Sequence, residues 1–123
     1  MKKLFLFPVI AFALFGLAGC EKDTSGYGQH VLLIDNFTGT SYSLGVYIDD
    51  EFEGSVVARS RTSVHATCEQ VKAGFREENM FVTTYVSKGR HTVKLKNQAN
   101  GQVMGSGDFT LNGDCITQDF TIN

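Results

Sequence analysis

Apolar and polar positions alternate along most of this chain, and turn residues interrupt the alternation every ten positions or so. A period of two sends successive side chains to opposite faces of an extended strand, so the pattern predicts strands rather than helices. His30 to Asp35 is a continuous apolar run closed by Asn36, which predicts a strand buried on both faces. Thr38-Gly39-Thr40-Ser41 is a turn cluster, after which Tyr42, Leu44, Val46 and Ile48 alternate with Ser43, Gly45 and Tyr47. Asp49 to Gly54 predicts an acidic hairpin turn, and Ser55 to Arg59 the return strand. Val64, Ala66 and Cys68 alternate with Ser63, His65 and Thr67 and predict another strand. In the next, Met80, Val82, Thr84 and Val86 fall on one face, with Phe81 and Tyr85 on the other. Ser87-Lys88-Gly89 turns the chain, and Val93 and Leu95 then alternate with Thr92, Lys94 and Lys96. Asn97-Gln98-Ala99-Asn100-Gly101 is the clearest hairpin loop, because Asn-Gly tolerates positive φ. Val103 to Leu111 follows, Asn112-Gly113-Asp114 turns again, and Ile116, Phe120 and Ile122 share the inner face of a final strand.

Seven to eight short strands of this kind predict an all-β fold. The expected architecture is a small antiparallel β-sandwich, with a small β-barrel as the alternative. Glu69 to Glu78 is the ambiguous stretch. Val71 and Phe75 are spaced i,i+4 as in a short helix, whereas Gly74 favours a structured loop. No proline follows Pro8, so edge strands must be blunted by charge, with Arg59, Lys94 and Lys96 as the candidates. No repeat or internal boundary divides residues 30–123, which read as one domain.

The N-terminal 19 residues break the alternation. Met1-Lys2-Lys3 precedes an apolar run from Leu4 to Ala18, and that run of 15 residues is shorter than the roughly 20 a membrane-spanning helix needs. Leu17-Ala18-Gly19-Cys20 ends it and resembles the lipobox of bacterial lipoprotein signal peptides. The resemblance implies cleavage before Cys20, a diacylglycerol on its thiol and acylation of the new amine. Several acyl chains give stable anchoring where one does not. A plain secretory signal cut at the small residues is the rival. Glu21, rather than aspartate, follows the cysteine, which in the sorting rules of such proteins favours the outer membrane. Cys20-Glu21-Lys22-Asp23 also resembles the charged tract that some lipoproteins use for surface export, although an ordinary polar tether is the plainer reading. Residues 20–29, with Thr24-Ser25-Gly26 and Gly28, read as a flexible tether.

Without residues 1–19 the chain holds nine Lys plus Arg against 13 Asp plus Glu, a formal charge of 9 − 13 = −4. That balance argues against a nucleic-acid partner. A domain this small has a limited core and often needs a staple. With Cys20 lipidated, Cys68 and Cys115 form an even pair in a compartment that permits disulfides, and one bridge is expected. Two separate buried thiols are the rival. Cys68 shares a strand face with Val64 and Ala66 while Cys115 is out of phase with Ile116, which puts the bridge at a sandwich edge.

Two further segments carry a resemblance. Val46-Tyr47-Ile48-Asp49-Asp50-Glu51-Phe52-Glu53-Gly54 and Lys88-Gly89-Arg90-His91-Thr92-Val93-Lys94-Leu95 resemble the PEGA-type envelope domains, in which a strand ends in an Ile-Asp turn and a Gly-x-His-x-Val strand precedes a second hairpin. The likeness spans about residues 42–111, and the family's Pro-Glu-Gly-Ala motif is missing. It implies a small immunoglobulin-like sandwich used for attachment or interaction, without catalytic residues.

Candidate chemistry is sparse. Asp49, Glu51, Glu53 and Gly54 occupy positions 1, 3, 5 and 6 of a calcium-loop pattern, yet Ser60 stands where the bidentate glutamate belongs. A solvated acidic hairpin is the simpler reading. His30, His65 and His91 show no metal spacing, although His65 and His91 could converge across strands. His65 and Cys68 form the one nucleophile–base pairing, but strand parity sets them on opposite faces and a disulfide would remove the thiol. Gly105-Ser106-Gly107 lacks the strand–turn–helix setting of a phosphate cradle and reads as a bend or bulge. Lys88, Arg90, Lys94 and Lys96 form a basic stripe that reads as an exposed strand face. Tyr27, Tyr42, Tyr47 and Tyr85 could stack on sugars if exposed, but the chain has no tryptophan. Asn36-Phe37-Thr38 matches a glycosylation sequon by composition alone.

No catalytic, cofactor or metal set emerges from these residues, because none brings nucleophile, base and orienting group together. The expectation is an outer-membrane lipoprotein, joined to the membrane through the lipid on Cys20, whose domain is a non-catalytic module for another envelope protein or for envelope structure. A ligand- or glycan-binding protein, or an inhibitor of a lytic enzyme, is the alternative.

Overall fold

The computed structural model describes residues 26–123. The expected signal peptide, the expected lipidation site Cys20 and most of the expected tether lie outside these residues. Seven strands run in order β1 (Tyr27–Asn36), β2 (Tyr42–Ile48), β3 (Glu51–Ala58), β4 (Met80–Ser87), β5 (Gly89–Asn97), β6 (Val103–Leu111) and β7 (Cys115–Ile122), with one short helix, α1 (Cys68–Lys72), between β3 and β4. They form a three-stranded sheet, β4-β1-β7, and a four-stranded sheet, β3-β2-β5-β6. The two pack face to face as a β-sandwich and do not close into a barrel. All neighbours are antiparallel except β1 and β7, which run parallel. Among the described residues no helix is long and apolar enough to cross a membrane.

The inner layer is built by period two. Leu32 and Ile34 of β1, Val86 and Ile122 face Leu44, Val46, Ile48, Val93, Leu95, Phe109 and Leu111 of the other sheet. The intervening residues of β1, Val31 and Leu33, point the opposite way and pack with Val64, Val71 and Met80. The expected two-faced burial of β1 therefore holds, and its cause is a covering segment, residues 59–79, folded over the outer face of the three-stranded sheet. Thr67 caps α1 by accepting from the Gln70 amide while the Gln70 side chain accepts from the Thr67 amide, a capping box. The Cys68–Cys115 disulfide, with Cα atoms 6.0 Å apart, ties the helix to the first residue of β7. Two buried asparagines pin the cover. The Asn79 amide donates to the carbonyls of Ile34, Arg59 and Thr62, and its oxygen accepts from the Arg59 amide. Asn36 donates to the carbonyls of Thr40 and Ala58.

Four expectations require correction. Residues 63–67 form no strand, and Cys68 opens a helix: the apolar side chains Val64 and Val71 plug the sheet from above instead of pairing with it. In β4 a bulge sets two residues, Thr84 and Tyr85, against Gln29, with Tyr85 at φ 59°. The parity reverses there, so Val86 reaches the inner layer while Met80 faces the cover, and the predicted shared face is split. The acidic turn is only two residues, Asp49 and Asp50 at φ 52° and 67°, and β3 begins at Glu51. The last residues of the expected tether, 20–29, are strand instead: β1 begins at Tyr27, and the Gln29 amide donates to the Asp114 carbonyl.

Candidate functional site

Two places in the sandwich hold chemistry. The first is at the end where the β2–β3 and β4–β5 turns meet. His30 projects inward from β1 and His91 from β5, and the Phe109 ring stacks on both, with centroids 4.1 Å from His30 and 5.2 Å from His91. The two imidazoles are held in opposite charge states. His91 Nδ1 donates to Asp49 Oδ2 at 2.6 Å and Nε2 donates to the Ser87 carbonyl at 2.7 Å. Both oxygens can only accept, so both ring nitrogens carry hydrogen and the ring is a cation. Burial pulls the His91 pKa down, but the Asp49 carboxylate and the Ser87 carbonyl outweigh it and the net shift is upward. The bond from His91, with the Thr92 amide, holds the Asp49 carboxyl below its usual range. His30 is fully buried. Its Nε2 donates to Gln118 Oε1 at 2.7 Å, while Nδ1 has no partner. Desolvation lowers its pKa, and the nearby His91 charge adds to the effect.

Asp49, His91 and Ser87 follow the order carboxylate, imidazole, hydroxyl of a hydrolytic triad, with Ser87 Oγ 3.4 Å from Nε2. A general base needs a free lone pair facing the hydroxyl. Here Nε2 is spent on the carbonyl of Ser87 itself, so the imidazole is a proton donor in a structural clamp that joins the β2–β3 turn to the β4–β5 turn. Beside the clamp lies an open groove of about 160 Å³, walled by Asp49, Glu51 and Glu53 on one side and by Thr83, Tyr85 and Ser87 on the other.

The second place is the outer face of the four-stranded sheet. Tyr47 and Phe52 are cross-strand partners whose rings meet edge to face, 5.5 Å apart. They lie over Gly45, where a Cβ would come within 3.1 Å of the Tyr47 ring. Glycine at that position gives the two large rings room to pack against the sheet. The Lys96 ammonium sits 4.5 Å above the Tyr47 ring, a cation–π contact. Ser43 donates to Gln98, which donates to Ser55, forming a polar border. Phe52 and Val57 are each 55% exposed.

The candidates read from the sequence sort cleanly. The calcium pattern does not assemble: Asp49 serves His91 and the Thr92 amide, and Asp50 serves Lys94. Among the described residues, no three His, Cys, Asp or Glu side chains gather as metal ligands. His65 is exposed, far from the convergence that brings His30 and His91 to Phe109. Cys68 is in the disulfide, so its thiol is gone. The basic stripe is partly neutralised, Lys94 by Asp50 and Arg90 by Asp108. Tyr85 and Tyr27 are exposed, but Tyr42 packs against the inner layer and Tyr47 is half-buried, so the four do not form a shared surface. Gly105 lies beside a bulge of β6, and Gly105 and Gly107 give room to the Phe120 ring. Asn36 is fully buried by its hydrogen bonds, which makes the sequon a structural asparagine. The buried His30–Phe109–His91 stack was invisible in sequence. Its only signal was histidine at inward-facing positions of two strands.

Comparisons of the chain with family models, curated proteins and solved structures find no match.

Proposed function

We propose that this chain is an envelope lipoprotein, anchored in the outer membrane through Cys20, whose sandwich is a non-catalytic module that binds another envelope protein. The observation that carries the reading is the Tyr47–Phe52 aromatic pair on the outer face of the four-stranded sheet, which is polar apart from this pair, Val57 and Val103. Aromatic groups exposed in the middle of a polar surface are the usual anchors of a protein interface, surrounded by a polar rim that excludes water. Ser43, Gln98 and Ser55 supply such a rim, and Lys96 adds a charge. The Asp49–His91–Ser87 clamp supports a role without turnover, because its imidazole has no lone pair to offer. Five residues lie between Cys20 and Gly26, six steps along the chain, so the domain can stand no more than about 20 Å from the lipid.

A photo-crosslinking phenylalanine analogue at position 52 tests the interaction in intact cells. It should capture a discrete protein, whereas the same probe at Glu69 on the covering helix should not. Equal capture from both positions would remove the patch from the argument. Cys20→Ala should leave the membrane fraction or stall uncut. A measured turnover lost on Ser87→Ala or His91→Gln, with the fold intact, would overturn the non-catalytic reading.

A further inference from the structure

We propose that the end of the sandwich where the chain enters from Cys20 rests on the lipid headgroups of the membrane that holds the anchor, with Tyr27 and Tyr85 in the headgroup layer and Lys88 against lipid phosphates. This orientation rests on the anchor proposed at Cys20 and goes further: the domain lies on the bilayer by a defined end instead of swinging free above it.

The topology brings these residues together. The Lys88 amide donates to the Gly26 carbonyl, so the β4–β5 turn lies beside the point of entry. Tyr27 is the Cα partner of Ser87, two residues from Tyr85 on the neighbouring strand. Both rings are open to solvent, Tyr27 at 43% and Tyr85 at 82%. Tyrosine joins an apolar ring to a polar hydroxyl, and such side chains collect at the level of lipid headgroups, where one end is dry and the other wet. The bulge in β4 holds Tyr85 at φ 59°, a conformation costly for a bulky residue, and leaves its ring with little packing in return. Among the described residues Lys88 forms no salt bridge. The acids of the neighbouring turns are matched within the domain: Asp49 by His91, Asp50 by Lys94 and Asp114 by Lys72. Glu51 and Glu53 stand on β3, in the other sheet from β1 and β4, so the domain leans on its β1–β4 side.

Length puts this end, and not the other, within reach of the bilayer. Glu21 to Ser25 are the five residues between Cys20 and Gly26. A flexible chain of that length has an end-to-end distance of about 13 Å. The headgroup layer on one side of a bilayer takes up roughly 6 Å of it. The entry end is therefore held within about the length of a side chain from the headgroups, where weak contacts meet a high local concentration of lipid. The far end, where Phe37 is exposed, lies a strand's length away, about 30 Å.

The test uses the whole protein, purified from membranes and reconstituted into phosphatidylcholine vesicles whose acyl chains are brominated close to the headgroup. The chain has no tryptophan, so Tyr27→Trp, Tyr85→Trp and Phe37→Trp each give a single reporter. The first two should lose about half of their emission to bromine and shift it to shorter wavelength, as rings at headgroup level do, and Phe37→Trp should lose none. Lengthening the tether separates docking from mere proximity. An insert of about ten Gly and Ser residues between Ser25 and Gly26 extends its mean reach to about 22 Å, and a docked end keeps its quenching. In that lengthened chain Tyr85→Ser with Lys88→Glu should abolish the quenching of the Tyr27→Trp reporter. Both are exposed positions, so the fold should survive, and circular dichroism checks it. Quenching lost on lengthening alone, equal quenching of Phe37→Trp, or quenching unchanged by Tyr85→Ser with Lys88→Glu would overturn the proposal. Stronger quenching of Phe52→Trp than of either tyrosine reporter would also overturn it, since the outer sheet face would then meet the lipid. The mass of the N-terminal peptide keeps the anchor and the docking apart. An unlipidated Cys20 removes both, whereas a lipidated Cys20 with Tyr27→Trp and Tyr85→Trp unquenched removes the docking alone.

Discussion

The two outer faces of the sandwich differ in how they are finished. In the three-stranded sheet β1 is apolar on both sides, and its outer face is roofed by residues 59–79, with Val64 and Val71 set into Val31, Leu33 and Met80. The four-stranded sheet alternates, so its outer face is polar apart from Tyr47, Phe52, Val57 and Val103 and carries no roof. A sheet with an apolar outer face must be covered by its own chain or by a partner. The first face is closed from within, by a helix, two asparagines and a disulfide. The second leaves a small aromatic surface open. On the proposed reading the difference separates structure from recognition: cysteine, asparagine and valine are spent on the closed face, and aromatic rings with a lysine are displayed on the open one.

The comparison can be broken at several places. The largest effect should come from the layer both sheets share. Phe109→Ala removes a ring that touches both histidines and should cost about 3–5 kcal/mol, measured by denaturant unfolding. A substantially smaller loss would mean that the inner layer repacks freely. Next is the staple of the closed face. Replacing Cys68 and Cys115 frees a loop of sequence separation 47 and should cost about 4 kcal/mol on the chain-entropy view. Amide exchange should then rise first in α1 and the residues around Val64. Uniform loss across both sheets would show that the cover is not a separate cooperative unit.

The two histidines give a signed pH response. His91 has a raised folded pKa, so its contribution is complete below the usual 6.5 and disappears as pH rises through the folded value. Asp49 has a lowered one, so its contribution is present above 3.8 and disappears as pH falls through its folded pKa. The clamp should therefore add most between about pH 4 and 6.5. His30 acts in the opposite sense: it favours the neutral ring above 6.5, and that contribution is lost as pH falls through its lowered folded pKa. Melting temperature against pH for the wild type, His91→Gln and His30→Gln should separate the two slopes. Parallel curves for both variants would contradict the assigned charge states. The smallest stability effects belong to the open face, where Phe52→Ser and Lys96→Ala should stay within about 0.5 kcal/mol, while Lys96→Ala weakens crosslinking from the probe at position 52. A large destabilisation would turn the patch into a structural element.

Alternation made the sandwich legible, and it failed where the backbone departs from it. The inner faces of β2, β5 and β7 follow parity without interruption. One bulge at Thr84–Tyr85 reversed it in β4, and nothing in Met80–Ser87 announces that extra residue. The apparent strand from Ser63 to Cys68 shows the same weakness from the other side. Apolar residues every second position also suit an irregular segment that drops side chains onto a sheet, and burial alone cannot tell the two apart. Cysteine parity was informative, because Cys115 does point away from Ile116 and toward the cover. The clamp and the groove were not legible. They join residues from separate turns, and their pairing depends on which ends of the strands the topology brings together.

The place of β1 bears on how such a chain is made. It is the first strand and the centre of its sheet, flanked by β4 on one side and by the last strand, β7, on the other. The parallel pairing runs from Gln29 with Cys115 to Asn36 with Ile122. The opening strand can pair with β4 as soon as that is delivered, but its other side stays open until β7 follows. Contacts so distant in sequence are slow to form. A chain threaded tail-last through a membrane pore could complete this sheet only once its last strand emerged, and the Cys68–Cys115 bond could be sealed only then, on the far side.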